Sequence, residues 1–344
     1  MRIINKNKNK RNNYYGVIYR KYNNKTFLNI IKILKNSKII KKIIFFKIDD
    51  LNINKDTIKG IQFINNHLIV IHTKIPKYIF NTVIHTKLSS INKMRQLRIL
   101  KHIKVINPIN RFNQSIVFDI INSFSSKYIL PYTLLNEDNL DIFINKYNSI
   151  FLLPDKSNKN YITINKNNNI YTINDIEYDK NNLFNYIKKM IKHKPYLIMK
   201  KPNILEYNNL PLEVRVYVQK DRLDIWNITD IIIKHELLFN NSIYNKTAYL
   251  FKNVLVKIYK KDINNLELKL NNISLNIVTY LSHFIPNISS ISLDYIIDDN
   301  DNPYLIKIGG FDEENYLESL NDLGNYNLYI KNTIDYLCKS DNNE

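Results

Sequence analysis

"SLDYIIDDNDNPYLIKIGG", residues 292–310, decides how this chain is read. Two apolar runs flank the polar tip DDNDN at 298–302, the signature of a β-hairpin. With the turn centred on Asn300-Asp301, Asp294 on the first strand falls opposite Lys307 on the second. Such partners lie ~5 Å apart at Cβ. A lysine inside an apolar strand and facing an aspartate predicts an ion pair. The alternative is that Lys307 snorkels to solvent from a strand edge. Two of only five glycines, Gly309 and Gly310, follow and mark the strand exit. The acidic tip lacks the 12-residue loop and closing Glu of a Ca²⁺ site, so it reads as a polar turn.

Upstream lies a second hairpin, residues 210–236. Val214, Val216 and Val218 alternate with Arg215, Tyr217 and Gln219, and Asp221-Arg222 form the turn. Between the two hairpins, the apolar spacing predicts a long helix over 262–284, and after the second hairpin a final helix over 313–338. Residues 114–149 read as helix, short extended piece (130–135) and helix, the second capped by Asn136. Strands follow at 150–154 and 195–201, with a hairpin at 160–174 and a helix at 181–194 between them. Nearer the N-terminus, strands at 14–20 and 41–48 flank a helix at 26–36. A hairpin at 58–73 turns on Asn65-Asn66. The proline-bearing segment 105–112 reads as a junction. This order predicts an N-terminal α/β domain over 1–107 and a larger α+β domain over 108–340.

The chain has 344 residues and 44 % apolar content, so it is globular with a sizeable core. It holds no run of the ~18 apolar residues that a membrane helix needs. The N-terminus lacks a signal-peptide apolar region. A single cysteine, Cys338, excludes an internal disulfide framework or cysteine metal site. These features predict a cytoplasmic protein. The formal charge is +19, which suits an anionic partner such as nucleic acid. Lysine, asparagine and isoleucine dominate throughout, however, and A/T-rich codons produce the same mixture. Only the head, with Arg2, Lys6, Lys8, Lys10 and Arg11, concentrates charge. Five glycines, against about 24 at the usual ~7 %, leave little material for glycine-rich phosphate loops.

The remaining chemistry-bearing residues read as structural. The seven histidines show no metal-ligand spacing. No serine stands in a Gly-x-Ser-x-Gly context. The 25 tyrosines and 15 phenylalanines follow the apolar periodicity of a core.

Four stretches together resemble the YheC/YheD endospore coat-associated family of the ATP-grasp superfamily. They are LPYTLLNEDNLDIFINKYNSIFLLP, YLIMKKPNILEYNNLPLEVRVYVQKD, LDIWNITDIIIKHE and the opening hairpin, in the family's order and spacing. The resemblance implies an ATP-grasp fold of two α+β subdomains behind a pre-ATP-grasp-like α/β domain. It further implies Mg-ATP between the subdomains and, in active members, ligation of a carboxylate to an amine or thiol. Arg215 and Lys234 match the family's arginine positions, and Asp294 its first metal ligand.

The departures are concentrated at the nucleotide and metal positions. Leu153-Pro154 replaces Lys-Pro, and the following loop has Lys156 and Lys159 but no glycine. Met199, Lys200 and Lys201 stand at the adenine hinge, and Glu213 replaces an Asp. Lys307 stands at the bridging Glu and Gly309 at the Asn. Replacing a carboxylate by an ammonium changes a site by two charges, each worth about 4 kcal/mol at 4 Å and ε ~20. The expectation is a non-catalytic protein with no resident cofactor and a spore coat-associated binding or structural role. Lys156, Lys159, Lys200, Lys201 and Arg215 are the remnant ATP contacts, and Arg215 and Lys234 the remnant catalytic candidates. The alternatives are an active ligase using those lysines as substitutes, or a polyanion binder.

Overall fold

The structure, a computed structural model, describes residues 14–20, 25–156, 161–173, 176–192, 194–207, 210–239, 242–258, 262–311, 316–320 and 323–339. The basic head and Lys159 lie outside the described residues.

The N-terminal part runs β1 (Tyr15–Ile18), α1 (Lys25–Leu34), β2 (Ile43–Phe46), β3 (Leu51–Asn52), β4 (Thr57–Ile64), β5 (His67–Lys74), β6 (Tyr78–Asn81), α2 (Leu88–Ile99) and β7 (Lys104–Ile106). Its sheet has the order β3-β4-β2-β1-β6-β7, with β5 pairing β4. The β2-β1-β6-β7 core is parallel. Strands buried on both faces must be apolar at every position, and "IIFF" of β2 is fully buried. Phe45 joins α1's Phe27 and Ile30 in one core, while Phe46 joins α2's Met94 and Leu97 in the other. The β4–β5 turn takes left-handed backbone at both Asn65 (φ 49°) and Asn66 (φ 63°), which asparagine tolerates.

The middle part runs α3 (Gln114–Phe124), β8 (Tyr132–Leu134), α4 (Glu137–Tyr147), β9 (Ser149–Pro154), β10 (Ile162–Asn167), β11 (Ile170–Ile173), β12 (Ile176–Tyr178), α5 (Lys180–Ile191) and β13 (Tyr196–Lys200). Its antiparallel sheet has the order β12-β11-β10-β9-β13-β8. Leu140 and Ile144 of α4 and Leu183 and Ile187 of α5 cover one face. Phe151, Leu153, Leu197 and Met199 of the other face enter the largest core. Asn136 caps α4 as expected, its side chain accepting from Asn139 N–H.

The last part runs β14 (Glu206–Tyr207), β15 (Leu210–Pro211), β16 (Glu213–Lys220), β17 (Trp226–Phe239), β18 (Ser242–Leu250), α6 (Phe251–Ile258), α7 (Ile263–Ser282), β19 (Ser290–Ile297), β20 (Pro303–Gly309) and α8 (Leu323–Cys338). Its sheet order is β18-β17-β16-β19-β20. Val214, Val216 and Val218 pack with Leu270, Ile277 and Leu281 of α7. Tyr217 and Ile232 on the other face pack with Tyr329 and Ile330 of α8. That same core reaches the N-terminal sheet, where Phe80 meets Phe311 edge-on at 5.5 Å. Strand β18 and helix α6 fill residues 242–258, where the sequence pattern suggested no element.

The β19–β20 hairpin keeps the expected Asp294↔Lys307 register, but by a different route. The turn spans 298–302, with Ile297 opposite Pro303. The Asp298 carboxylate accepts from the N–H groups of Asn300 (3.0 Å) and Asn302 (2.7 Å), and Asp301 adopts left-handed backbone. This turn alone would misalign Asp294 by one residue. A register shift between Asp294 and Tyr295 restores the pairing.

The glycine pair has a steric cause. A Cβ on Gly310 would lie 2.5 Å from Asn110 Oδ1 and 2.7 Å from Asn110 Cα. The junction segment crosses the strand exit here, with Gly310 N–H donating to Asn110 O and Phe311 N–H to Asn110 Oδ1. Gly309 pairs with Ser292 on one side and bridges Arg111 on the other.

Candidate functional site

The alternation of β16 that buries its valines on α7 turns Arg215 to the opposite face. The strand order then aligns charges across four strands. Glu213 of β16 pairs with Lys234 of β17. Arg215 pairs with Asp294 of β19, and Asp294 with Lys307 of β20. Arg215 Nε donates to Asp294 Oδ1 at 2.6 Å, and Nη2 to Oδ2 at 2.9 Å. Lys234 Nζ donates to Asp294 Oδ2 at 3.1 Å and to Glu213 Oε2 at 2.9 Å. The Arg215 guanidinium lies 4.7 Å from the centre of the Tyr316 ring, and Lys234 Nζ 5.5 Å from it. Asp294 is 2 % exposed, Arg215 and Lys234 5 % each.

Burial by itself would raise the Asp294 carboxyl. The charges of Arg215 and Lys234, the arginine hydrogen bonds and the charge of Lys307 overcome it and hold the group well below the usual carboxylate range. Among the described residues, three cations, Arg215, Lys234 and Lys307, thus lie on the same strip as two carboxylates, Glu213 and Asp294. The opening hairpin suggested Lys307 as the partner of Asp294. No such ion pair forms: Lys307 adds only the smallest of the charge effects on Asp294, whose two oxygens accept hydrogen bonds from Arg215 and Lys234 instead. The hairpin alone could not reveal those two partners. Arg215 and Asp294 are separated by 79 residues and meet only because β19 lies beside β16.

The other residues singled out in the sequence are placed apart. Leu153 and Met199 are core side chains, Leu153 pairing with Leu197 across β9 and β13. Lys200 and Lys201 follow on β13 and just past it. Their backbone N–H groups donate to Pro131 O and Ser149 O, and Lys200 Nζ lies 5.8 Å from the Tyr147 ring centre. Lys156 is exposed in the turn after β9. No hydrogen bond or ion pair among the described residues joins Lys156, Lys200 or Lys201 to the Arg215 cluster. No motif pointed to Arg111, whose Nε is buried with no hydrogen-bond partner among the described residues, beside Gly309. Among the described residues, no group of three or more His, Cys, Asp or Glu is placed to hold a metal ion.

Three large sheets in this order, beside the two-stranded β14-β15 ladder, make up an ATP-grasp fold. The D-Ala:D-Ser ligase VanG from Enterococcus faecalis superposes with a TM-score of 0.59 at 10 % identity, covering 95 % of this chain and 99 % of the ligase. D-alanyl-alanine synthetase A from Vibrio cholerae gives 0.57 at 10 % identity, covering 93 % and 98 %. The RimK domain ATP-grasp protein from Sphaerobacter thermophilus gives 0.57 at 8 % identity, covering 94 % and 99 %. At these identities the likeness establishes the fold. The family profile described as YheC/D like ATP-grasp matches residues 102–339, and the chain belongs to that family. No curated protein sequence matches the chain.

Proposed function

We propose that this chain is a non-catalytic member of the YheC/D-like ATP-grasp family, acting by binding or as a structural component. A spore-associated role, in the coat, follows from the family resemblance. One observation supports the non-catalytic reading above the rest: Asp294, at the first metal-ligand position, is already bound by Arg215 and Lys234. Lys307 stands at the second position and Gly309, without a side chain, at the third. Mg²⁺ requires oxygen ligands in near-octahedral array. Here it would have to displace two hydrogen-bonded cations and approach a third. The residues present do not fit the ion.

The nucleotide positions support the same reading. The place of the phosphate lysine is Leu153, buried against Leu197, and so cannot present a charge. Calorimetric titration of the full chain with ATP, with and without Mg²⁺, tests the proposal. The expected result is no Mg²⁺-dependent binding. Micromolar affinity that requires Mg²⁺ would overturn it and favour a ligase that uses Lys156, Lys200 or Lys201.

A further inference from the structure

The positive charge of the chain is not shared between its two parts. Residues 1–107 hold 24 of the 50 Lys and Arg but only 3 of the 31 Asp and Glu, a net +21. Residues 108–344 carry a net −2. After Asp56 the next acidic residue is Asp119. A/T-rich codons act on both parts alike, and the codons for Asp and Glu are themselves rich in A and T. Codon usage therefore does not divide the charge in this way. Nor does the basic head account for it, since residues 14–107 alone carry +16. Excess charge of one sign repels itself and works against the compact state. A domain that keeps it has the electrostatic footprint of a polyanion binder.

The fold gathers these cations on one side of the N-terminal sheet. Helix α2 buries Ser90, Met94 and Leu97 against the sheet, in a core drawn from residues 14–105. Arg95 and Arg98 are exposed on the helix, and Lys101 in the turn that follows it. At the amino ends of β6 and β7, Lys104 N–H donates to Lys77 O at 2.7 Å. His102 Nε2 lies 3.5 Å from Asp56 Oδ1, and Ile75 N–H donates to Asp56 O at 3.2 Å. Thr57, next to Asp56, pairs with Lys74. These contacts bring Lys55, Lys74, Lys101 and Lys104, all exposed, to one end of the sheet beside Asp56. The other two acids of this part, Asp49 and Asp50, follow β2, and Ser90 Oγ ties Asp49 to the start of α2 at 3.4 Å. Among the described residues, the side chains of Lys55, Lys74, Arg95, Arg98, Lys101 and Lys104 make no hydrogen bond or ion pair.

We propose that this side of the N-terminal part, α2 with the adjoining ends of β5, β6 and β7, binds the phosphodiester backbone of a nucleic acid. Each of the six cations can neutralise one phosphate. Contacts of this kind supply affinity and position without reading the bases. A lipid surface fits these residues less well. An interfacial helix offers lipid a continuous apolar face, whereas Met94 and Leu97 of α2 are buried and its exposed Leu88 and Ile99 stand at opposite ends. The surface is separate from the Arg215 cluster and needs neither ATP nor Mg²⁺.

Fluorescence anisotropy of a labelled DNA duplex of about 20 base pairs, titrated with the full chain between about 50 and 200 mM salt, tests this. The expected result is micromolar or tighter binding at the lower salt, indifferent to base sequence. Log K should fall against log salt with a slope of about −5, for six phosphates. Arg95→Gln, Arg98→Gln and Lys101→Gln together are expected to weaken binding at least tenfold and to make the slope shallower by about 3. Lys55→Gln, Lys74→Gln and Lys104→Gln together should do the same, and this second variant decides the matter if the first does not fold. Lys189→Gln, Lys192→Gln and Lys257→Gln remove equal charge from the rest of the chain and should leave binding unchanged. No binding at micromolar concentration overturns the proposal. So does binding that survives both surface variants, or an equal loss in the control. Tighter binding to phosphatidylglycerol vesicles than to the duplex would assign the surface to a membrane instead and overturn it too.

Discussion

Arg215 holds Asp294 through two parallel hydrogen bonds, at 2.6 and 2.9 Å, and the two side chains are only 6 % and 2 % exposed. A planar guanidinium matches a carboxylate in this forked geometry, which an ammonium cannot reproduce. Removing one member leaves the other charge buried. Arg215→Met is therefore expected to destabilise the protein by about 3–5 kcal/mol. Arg215→Met combined with Asp294→Leu should recover most of that loss, since Lys234 keeps Glu213 at 2.9 Å. Urea unfolding of the single and double variants checks this. A double variant no more stable than Arg215→Met would mean that the pair does not act as a unit.

The same cluster gives stability a defined dependence on pH. The folded-state carboxyl of Asp294 lies below its ordinary value of 3.8. Such a group contributes stability that is fully present above the unfolded value and is lost as pH falls towards the folded one. The wild-type unfolding midpoint should therefore fall as pH drops below about 4. In Asp294→Asn this component is missing, so the drop between pH 5 and pH 3 should be shallower. Thermal unfolding of both proteins across that range decides it, and parallel curves would exclude Asp294 as the source.

Much of the fold could be read locally, because local patterns set it. Asn65-Asn66 marks a turn that requires two left-handed residues, and Asn136 caps a helix through its own side chain. The valine alternation of β16 separates an apolar face from a charged one. The Asp294–Lys307 register was also legible, although the turn proved to span 298–302 and a bulge restores the alignment. What could not be read depends on sheet order. Arg215 meets Asp294 because β16 pairs with β19 across α6 and α7. The ends of β1, β2 and β6 meet because β1 lies between β2 and β6 in the sheet, although α1 and strands β3 to β5 separate them in sequence. Strand β18 was missed because it earns its place by pairing with β17 along its length, in a stretch with weak apolar alternation.

The positions of Lys307 and Gly309 predict a gain of function. Lys307→Glu with Gly309→Asn restores the oxygen donors that the family resemblance assigns to these places. Among the described residues, a Cβ at Gly309 would meet only Ser292 Oγ, at 2.9 Å, a rotatable hydroxyl that can swing aside. Electron paramagnetic resonance of Mn²⁺ with ATP reads the outcome. The wild type is expected to leave Mn²⁺ free, and the double variant to bind it. Binding by the wild type alone would reverse the reading of Lys307 as a built-in cation.

Gly310 should tolerate far less than Gly309. A methyl group at Gly310 meets Asn110 Oδ1 at 2.5 Å, Asn110 Cα at 2.7 Å and Ile109 O at 3.0 Å. Two of these are main-chain atoms that cannot rotate away. Asn110 is itself fixed, its Nδ2 donating to Asn81 O at 2.8 Å. Gly310→Ala must then push the junction off the strand exit, stretching the Gly310–Asn110 and Phe311–Asn110 hydrogen bonds. Overpacking of this kind costs about 1–3 kcal/mol, and the lost bonds add to it. Gly309→Ala meets one flexible atom and should cost less than half as much. Unfolding midpoints of the two alanine variants compare them directly, and equal losses would show that the junction yields more easily than this packing implies.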